Sequence, residues 1–524
     1  MKMYKLKDLL VLLAIVACEK QLPDAVPYVP ETPETEEPAP CFSSFKLEAK
    51  NNHGLNRDYA GTIDADGIHI FCPELDVPVN VVASFEGDFV QADIDGRIQE
   101  SGVSKVNFED AVYYRLTGPS GRTALYPVYL VTRNGLPCMY IDTDGAAILD
   151  KDNYVRAQIT IDNIPEQGSI HSPAKIRGRG NGTWGGYPKK PYKIKFDSKI
   201  GPFGFHKNKD WAILADYTDK SLLRTAWMVE LSRAVEMPYT VPYQHMDTWL
   251  NGEYIGTYIL TDHVEKAKNR INIQDDGFII QNDNAISDEL FYFRTTKQKY
   301  SFTFKYPDPD DGEIVQGDEE YLRIEKLMND FEAVLYSDLE TMSDPETGYR
   351  AFIEPVSFAK WYLIFELTLN YEPNLYFVCE TRGAKIQMYP AWDAEWSLGL
   401  AYRPEAYGGW VRYPDGKPDL DDIFWSRGKY LAQLFRDHYF VDIVKDEWTA
   451  LKPRIPEIRN AVSRVREQIT LSQEDNFKRW DIIHPDIHPG VSLSAWSSWE
   501  EEADYTFDCF DHRVEVVGNF IESL

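Results

Sequence analysis

Apolar and polar positions follow several different rhythms along the chain. An unbroken apolar run, Leu9–Ala17, follows Lys2, Lys5 and Lys7. It is too short to span a bilayer and predicts an export signal over 1–17. Glu19–Pro40 ends PETPETEEPAP and has no apolar period. A stretch of that composition predicts an extended tether over 18–40. From Cys41 the pattern becomes short alternating runs between turns, such as Gly67–Phe71, Val79–Phe85 and Tyr126–Thr132. Alternation places apolar side chains on one face of each strand, and repeated short strands predict a small β-sandwich over 41–135. Nothing in that stretch carries obvious chemistry, which makes it a spacer.

Residues 136–524 mix the two periods. Lys220–Val235 and Tyr321–Tyr336 repeat apolar residues at helical spacing, as does Ile455–Ile469, and Trp499–Ile521 closes the chain as a further helix. Tyr254–Thr261 and Gly277–Gln281 predict strands. The sum is an α+β domain. Ser357–Leu369 predicts a helix that ends at Asn370-Tyr-Glu-Pro-Asn374. Leu375–Val378 and Lys385–Tyr389 then predict a hairpin turning at Glu380–Ala384. Such a hairpin brings the residue before its first strand beside the residue after its second, so Glu372 and Asp393 become neighbours.

The densest candidate chemistry is Arg177–Asp197, RGRGNGTWGGYPKKPYKIKFD. Tyr192, Ile194 and Phe196 alternate with Lys193 and Lys195, so a strand there puts both lysines on one face. Gly180, Gly182 and Gly185 match a G-x-G-x-x-G spacing, which alone is weak because glycines also serve turns that bind nothing. A glycine-rich turn joined to a lysine-bearing strand can cradle a polyphosphate. The same lysines also suit a solvated strand face. Lys189 and Lys190 read as surface charges. Arg177 and Arg179 suit either phosphate or local acids, and Asp219 suits a helix cap.

This run resembles the RGRGNSTW…KKPYKIKF pattern of the CotH kinase family, atypical protein kinases named after a spore-coat protein. The resemblance continues through Trp211–Trp227, Leu250–Glu265 and Tyr389–Gly399. It implies an atypical kinase-like domain that uses ATP and Mg²⁺ to phosphorylate protein Ser or Thr. By the same resemblance Arg177, Gly180, Asn181, Gly182, Lys193 and Lys195 hold the nucleotide. The family's helix-terminal N-x-D and later W-D-x-D fall on Asn370–Glu372 and Trp392–Glu395. Glu372 then takes the catalytic position, and Asp393, Glu395 and Asn374 the metal. Glu stands here for Asp twice, at 372 and 395, lengthening each side chain by a methylene. A shift on the order of 1 Å can cost about a hundredfold in rate. Asp262 or Glu265 is placed to pair with a phosphate-site lysine.

A net charge of −29 disfavours nucleic acid as a partner. Ile15-Val16-Ala17-Cys18 resembles the lipobox of bacterial lipoproteins, which implies acyl chains on Cys18 and a membrane-anchored protein outside the cytoplasm, at the outer membrane or cell surface. The acidic tether and the Ig-like sandwich ahead of the larger domain resemble Bacteroidetes surface lipoproteins. The other cysteines, Cys41, Cys72, Cys138, Cys379 and Cys509, are odd in number and irregular in spacing, so they predict isolated thiols. Two further readings stay open. One is a catalytically inactive surface lipoprotein that binds glycan or protein, for which the aromatic segment Tyr402–Trp425 is the candidate face unless those rings pack inward. The other is glycoside hydrolysis by a carboxylate pair. His484 and His488 stand four apart, but Pro485 and Pro489 break the helix that would align them.

Overall fold

The structure is a computed structural model. It describes residues 38–524 except 56–57, 64–66, 73–74, 76–77, 132–135, 166, 181, 283–290, 372–374, 401–402, 406–408, 412–418 and 484–497. Cys18 and the leader therefore lie outside the described residues, as do Asn181, Glu372, Asn374, His484 and His488. Among the described residues no helix is long and apolar enough to cross a membrane.

Strands between Cys41 and Val131 form two sheets. One pairs Cys41–Leu47 with Val81–Asp88, and the other is built around Val112–Thr117 and Thr123–Val131. Their inward residues make a core of rings in which Phe42 meets Phe45, Phe85 and Tyr114 edge-on at 5.4, 5.6 and 5.9 Å. Edge-to-face contact suits the ring quadrupole. This core continues into Tyr140 and Trp249 of the next unit, whose rings lie 5.0 Å apart.

The next unit is a closed seven-stranded barrel. Its strands are Cys138–Asp142, Val155–Ile164, Gly168–Gly178, Tyr192–Ile200, Asn208–Leu214, Tyr243–Leu250 and Glu253–Asp262. Neighbours pair antiparallel except at the closure, where Cys138–Asp142 runs parallel to Tyr243–Leu250. Closure leaves no free edge. Ile159, Ile161, Ile176, Ile194, Phe196, Trp211, Ile213, Met246 and Leu260 fill the interior. The alternation in 192–196 is as expected, with Tyr192, Ile194 and Phe196 inward. That these strands close into a barrel was not foreseen.

Beyond the barrel, Tyr292–Arg294, Ser301–Tyr306, Phe278–Asn282, Leu375–Cys379 and Ile386–Met388 form a five-stranded sheet in that order. Helices pack around it, giving the mixed helix-and-sheet architecture that the two periods predict. Pro355–Leu367 is apolar nearly all round and is buried accordingly. The helix expected from Lys220 begins only at Arg224. The reason is local: Asp219 accepts the backbone N–H groups of Ser221 and Arg224, and Leu222 takes a positive φ of 59°. Cys41, Cys72, Cys138, Cys379 and Cys509 are free thiols, all but Cys41 buried.

Candidate functional site

The hairpin forms with Phe377 opposite Met388 and Cys379 opposite Ile386. Its two flanks meet, since Asn370 Nδ2 donates to the Asp393 carbonyl at 2.8 Å. Asp393 sits at φ 68°, a conformation that a short polar side chain tolerates. Its side chain is exposed, whereas Glu395, two residues on, is buried. Glu395 is fixed by the Thr218 backbone N–H, 2.7 Å from Oε1. Arg224 ties the same segment down by donating from Nε to the Ser397 carbonyl at 2.7 Å and from Nη2 to that of Leu398 at 3.1 Å.

Asp216 lies two residues before Thr218, close enough to Glu395 for each charge to be felt. Asp216 is also buried, and it accepts from Thr225 Oγ1 at 3.4 Å. Burial raises the pKa of both carboxyls. For Asp216, Glu395 and Asp219 add to the rise. For Glu395, the Thr218 bonds oppose burial, while Asp393 and Asp219 reinforce it. Two acids forced together out of water are a familiar mark of a functional site.

Opposite charge comes from the glycine-rich loop, and from its two ends. Gly180 has φ 78°, and a Cβ there would lie 2.4 Å from Thr183 Oγ1, so only glycine fits the turn. The short helix Gly182–Gly186 follows. Before the turn, Arg179 lies over the Trp392 ring at 5.7 Å. Its head is deep enough that burial lowers its pKa, an effect that Asp393 opposes first, then Tyr376, Asp216 and Glu395. After the turn, Lys189 is 1% exposed and donates to the Thr257 carbonyl at 2.6 Å and to Asn476 Oδ1 at 3.0 Å. Burial lowers its pKa, and Asp216 and Glu395 are the first charges to oppose that. The expectation that Lys189 is a surface charge is therefore corrected. Room for its stem comes from Gly256, where a Cβ would stand 3.0 Å from Lys189 Cε.

Lys193 and Lys195 do share one face, the outer face of the barrel, but both answer to Asp210, at 3.8 and 3.7 Å. The charge of Lys193, with those of Arg179, Lys305 and Arg270, adds to the burial that holds His263 well below its ordinary pKa. Lys195 is half-exposed. Arg177 pairs across the ladder with Lys193, yet its guanidinium donates to the Lys151 carbonyl and lies 5.0 Å from the Tyr154 ring. The arginine at the acids is Arg179. Asp262 and Glu265 pair with Arg270, not with a lysine of this strand. The cap position of the following helix is held by Leu223 and not by Asp219, which instead accepts the Arg224 N–H from the turn before it and also binds the Arg224 guanidinium.

The residues that sequence reasoning left without a role are Asp216 and Lys189. Asp216 stands among further charges in ILADYTDK and Lys189 beside a second lysine in GYPKKPY, so neither stood out in the sequence. Trp425, at the end of the aromatic segment, is buried 4.8 Å from the Trp361 ring, which is packing. The part of that segment at 402, 406–408 and 412–418 lies outside the described residues.

Among the described residues no group of three or more His, Cys, Asp or Glu is arranged to hold a metal. Magnesium does not require one, since it takes one or two carboxylates with waters and substrate phosphates. The mutually repelling carboxyls of Asp216 and Glu395, with Asp393 nearby, fit it in donor chemistry. A family model described as CotH kinase protein matches residues 176–517, well over half of the chain. No curated protein matches it.

Proposed function

The chain belongs to the CotH kinase family, and from that premise we propose that it transfers a phosphoryl group from Mg²⁺-ATP to Ser or Thr hydroxyls of a protein. The observation that carries this reading is that one glycine loop sets Arg179 over the Trp392 ring, next to Asp393 in sequence, and buries Lys189 where Asp216 and Glu395 are the first charges to offset its burial. Phosphoryl transfer needs positioning and charge stabilisation more than covalent chemistry, and such a constellation supplies both.

In this reading the amides around Gly180, Asn181 and Gly182 receive phosphate oxygens, with Arg177, Lys193 and Lys195 as a cationic flank. Asp393 and Glu395, with Asn374, hold the metal, which when bound offsets charge on the phosphates. Glu372 accepts the proton of the acceptor hydroxyl as its oxygen bonds to phosphorus and the bond to ADP breaks. Lipid on Cys18 keeps the protein outside the cytoplasm, at the outer membrane or cell surface, and the sandwich is an Ig-like spacer.

A second reading is a catalytically silent surface lipoprotein that binds protein or glycan. It is favoured by Glu395, whose carboxylate already accepts the Thr218 amide. Radiolabel from ATP separates the two. The wild type should incorporate label and Glu372→Gln should lose it while still binding nucleotide. Equal incorporation removes Glu372 from the role of base, and a bound but inert wild type supports the silent protein.

A further inference from the structure

Lys189 is held by a helix far from it in the chain, Ser472–Arg479, which lies against the barrel strand Glu253–Asp262. Ser472 donates from Oγ to Asp247 Oδ2 at 2.8 Å, and Trp480, just past the helix, donates from Nε1 to the Ile255 carbonyl at 2.9 Å. Between them, Asn476 Oδ1 accepts twice, from the Thr257 N–H at 3.1 Å and from Lys189 Nζ at 3.0 Å. The strand is shaped to receive these groups. Its register with Tyr243–Leu250 shifts between Thr248 and Trp249, and Gly256, opposite Thr248, has φ 113°. A Cβ on Gly256 would stand 2.7 Å from Asn476 Oδ1, 2.9 Å from Trp480 Nε1 and 3.0 Å from Lys189 Cε. Glycine inside a strand marks such a bulge or close approach.

We infer that Asn476 is a positioning residue of the site: its neutral oxygen ties Lys189 Nζ to the barrel wall without cancelling the charge, which is left to the site that the glycine loop builds. Asn476 and Lys189 are both buried, so their bond is out of water. The other hydrogen-bond acceptor of Nζ, the Thr257 carbonyl at 2.6 Å, is also neutral, and the Tyr258 ring lies 4.8 Å away. An aspartate at position 476 has the same shape and accepts the same two bonds, but it would pair the ammonium directly. Asparagine gives the geometry without the pairing. What the charge serves rests on the phosphoryl-transfer reading; the hold on Lys189 rests on these hydrogen bonds alone.

The test compares the full chain as wild type, Asn476→Asp, Asn476→Ser and Lys189→Met, by chemical denaturation from pH 7 to 9 and by calorimetry with Mg²⁺-ATP. Burial lowers the Lys189 pKa, so the unfolded chain keeps a proton that the folded one releases, and stability from this group rises with pH across that window. Asp216, Glu395, Asp247 and Asp219 face Lys189 and oppose the release, and they are common to all four proteins. Asn476→Asp should hold the proton, so the folding constant of the wild type should gain on it by up to about tenfold for each pH unit. Asn476→Ser withdraws an acceptor and should move the step the other way, to lower pH, while Lys189→Met should show no step. Asn476→Asp should also bind Mg²⁺-ATP about tenfold more weakly. A merely structural asparagine would displace the stability curves without changing their shape. Parallel curves, or an unchanged Mg²⁺-ATP affinity in Asn476→Asp, overturn the inference. A wild type that binds no Mg²⁺-ATP sinks the kinase reading, while the pH curves still decide whether Asn476 governs Lys189.

Discussion

Two groups of charges in this molecule are built on opposite plans. Around Pro355–Leu367 and Trp499–Ser523, Glu366 and Arg513 are both fully buried and directly paired at 2.9 Å. Glu366 also accepts the backbone N–H groups of Phe424 and Trp425 at 3.0 and 2.7 Å, and Arg513 donates to the carbonyls of Leu420 and Asp422 at 2.7 and 2.6 Å. Around the glycine loop, Lys189 spends its hydrogen bonds on a carbonyl and an amide oxygen, and Arg179 rests on a ring. The acids that balance them act through space. The first group closes on itself and holds helices together. The second leaves both signs of charge available to something that carries both.

Breaking the closed group should have the largest effect. Arg513→Met strands Glu366 and should cost about 3–5 kcal/mol in chemical denaturation, with much of that recovered in the double variant Arg513→Met, Glu366→Gln. Lys189→Met should cost far less, because Asp216 and Glu395 can take up protons. A loss as large for Lys189 would erase the distinction.

The open group should respond to ligand instead. Saturation with Mg²⁺-ATP at a hundred times its dissociation constant should stabilise the fold by about 2.7 kcal/mol, and Asp393→Asn should reduce that shift. An undiminished ligand shift in Arg513→Met, measured from its lowered baseline, would keep the two groups separate.

A buried histidine near Asp219 and Lys189 adds a pH response. His245 is buried with its Nε2 2.8 Å from the Leu222 carbonyl, and burial pushes its pKa down to about 4. Between that value and the ordinary 6.5 the unfolded chain binds the proton and the folded one does not. Its contribution is therefore intact above pH 6.5 and is lost as pH falls, by about 2 kcal/mol at pH 5. His245→Gln should flatten the stability profile over that window. The smallest effect on stability is expected for Lys195→Ala, half-exposed on the barrel wall, with a change within about 0.5 kcal/mol.

The hairpin was legible in the sequence because its information is local. Two short apolar runs, a turn, and the geometry of antiparallel pairing are enough to bring Asn370 to Asp393. The lysine strand was legible in part. A period of two says that Lys193 and Lys195 share a face, but it does not say what lies over that face, and Asp210 lies there. Arg179 and Lys189 could not be found in this way. Their positions depend on where a closed barrel releases and recaptures its chain, and on Gly256 and Asn476, which come together only in the finished fold.

The barrel closes by a contact between distant parts of the chain. Thr143 donates its N–H to Asn251 Oδ1 across 108 residues, just past the parallel seam of the first strand with Tyr243–Leu250. A chain threaded through a membrane or leaving a ribosome amino end first can complete the sandwich from contiguous sequence. The barrel must wait for its last strand, Glu253–Asp262, and its first strand stays without one neighbour until Tyr243–Leu250 is made. Closing so long a loop is slow relative to local pairing. The interval leaves Met139 and Ile141 uncovered, an apolar strand edge open to a chaperone while the barrel is being made.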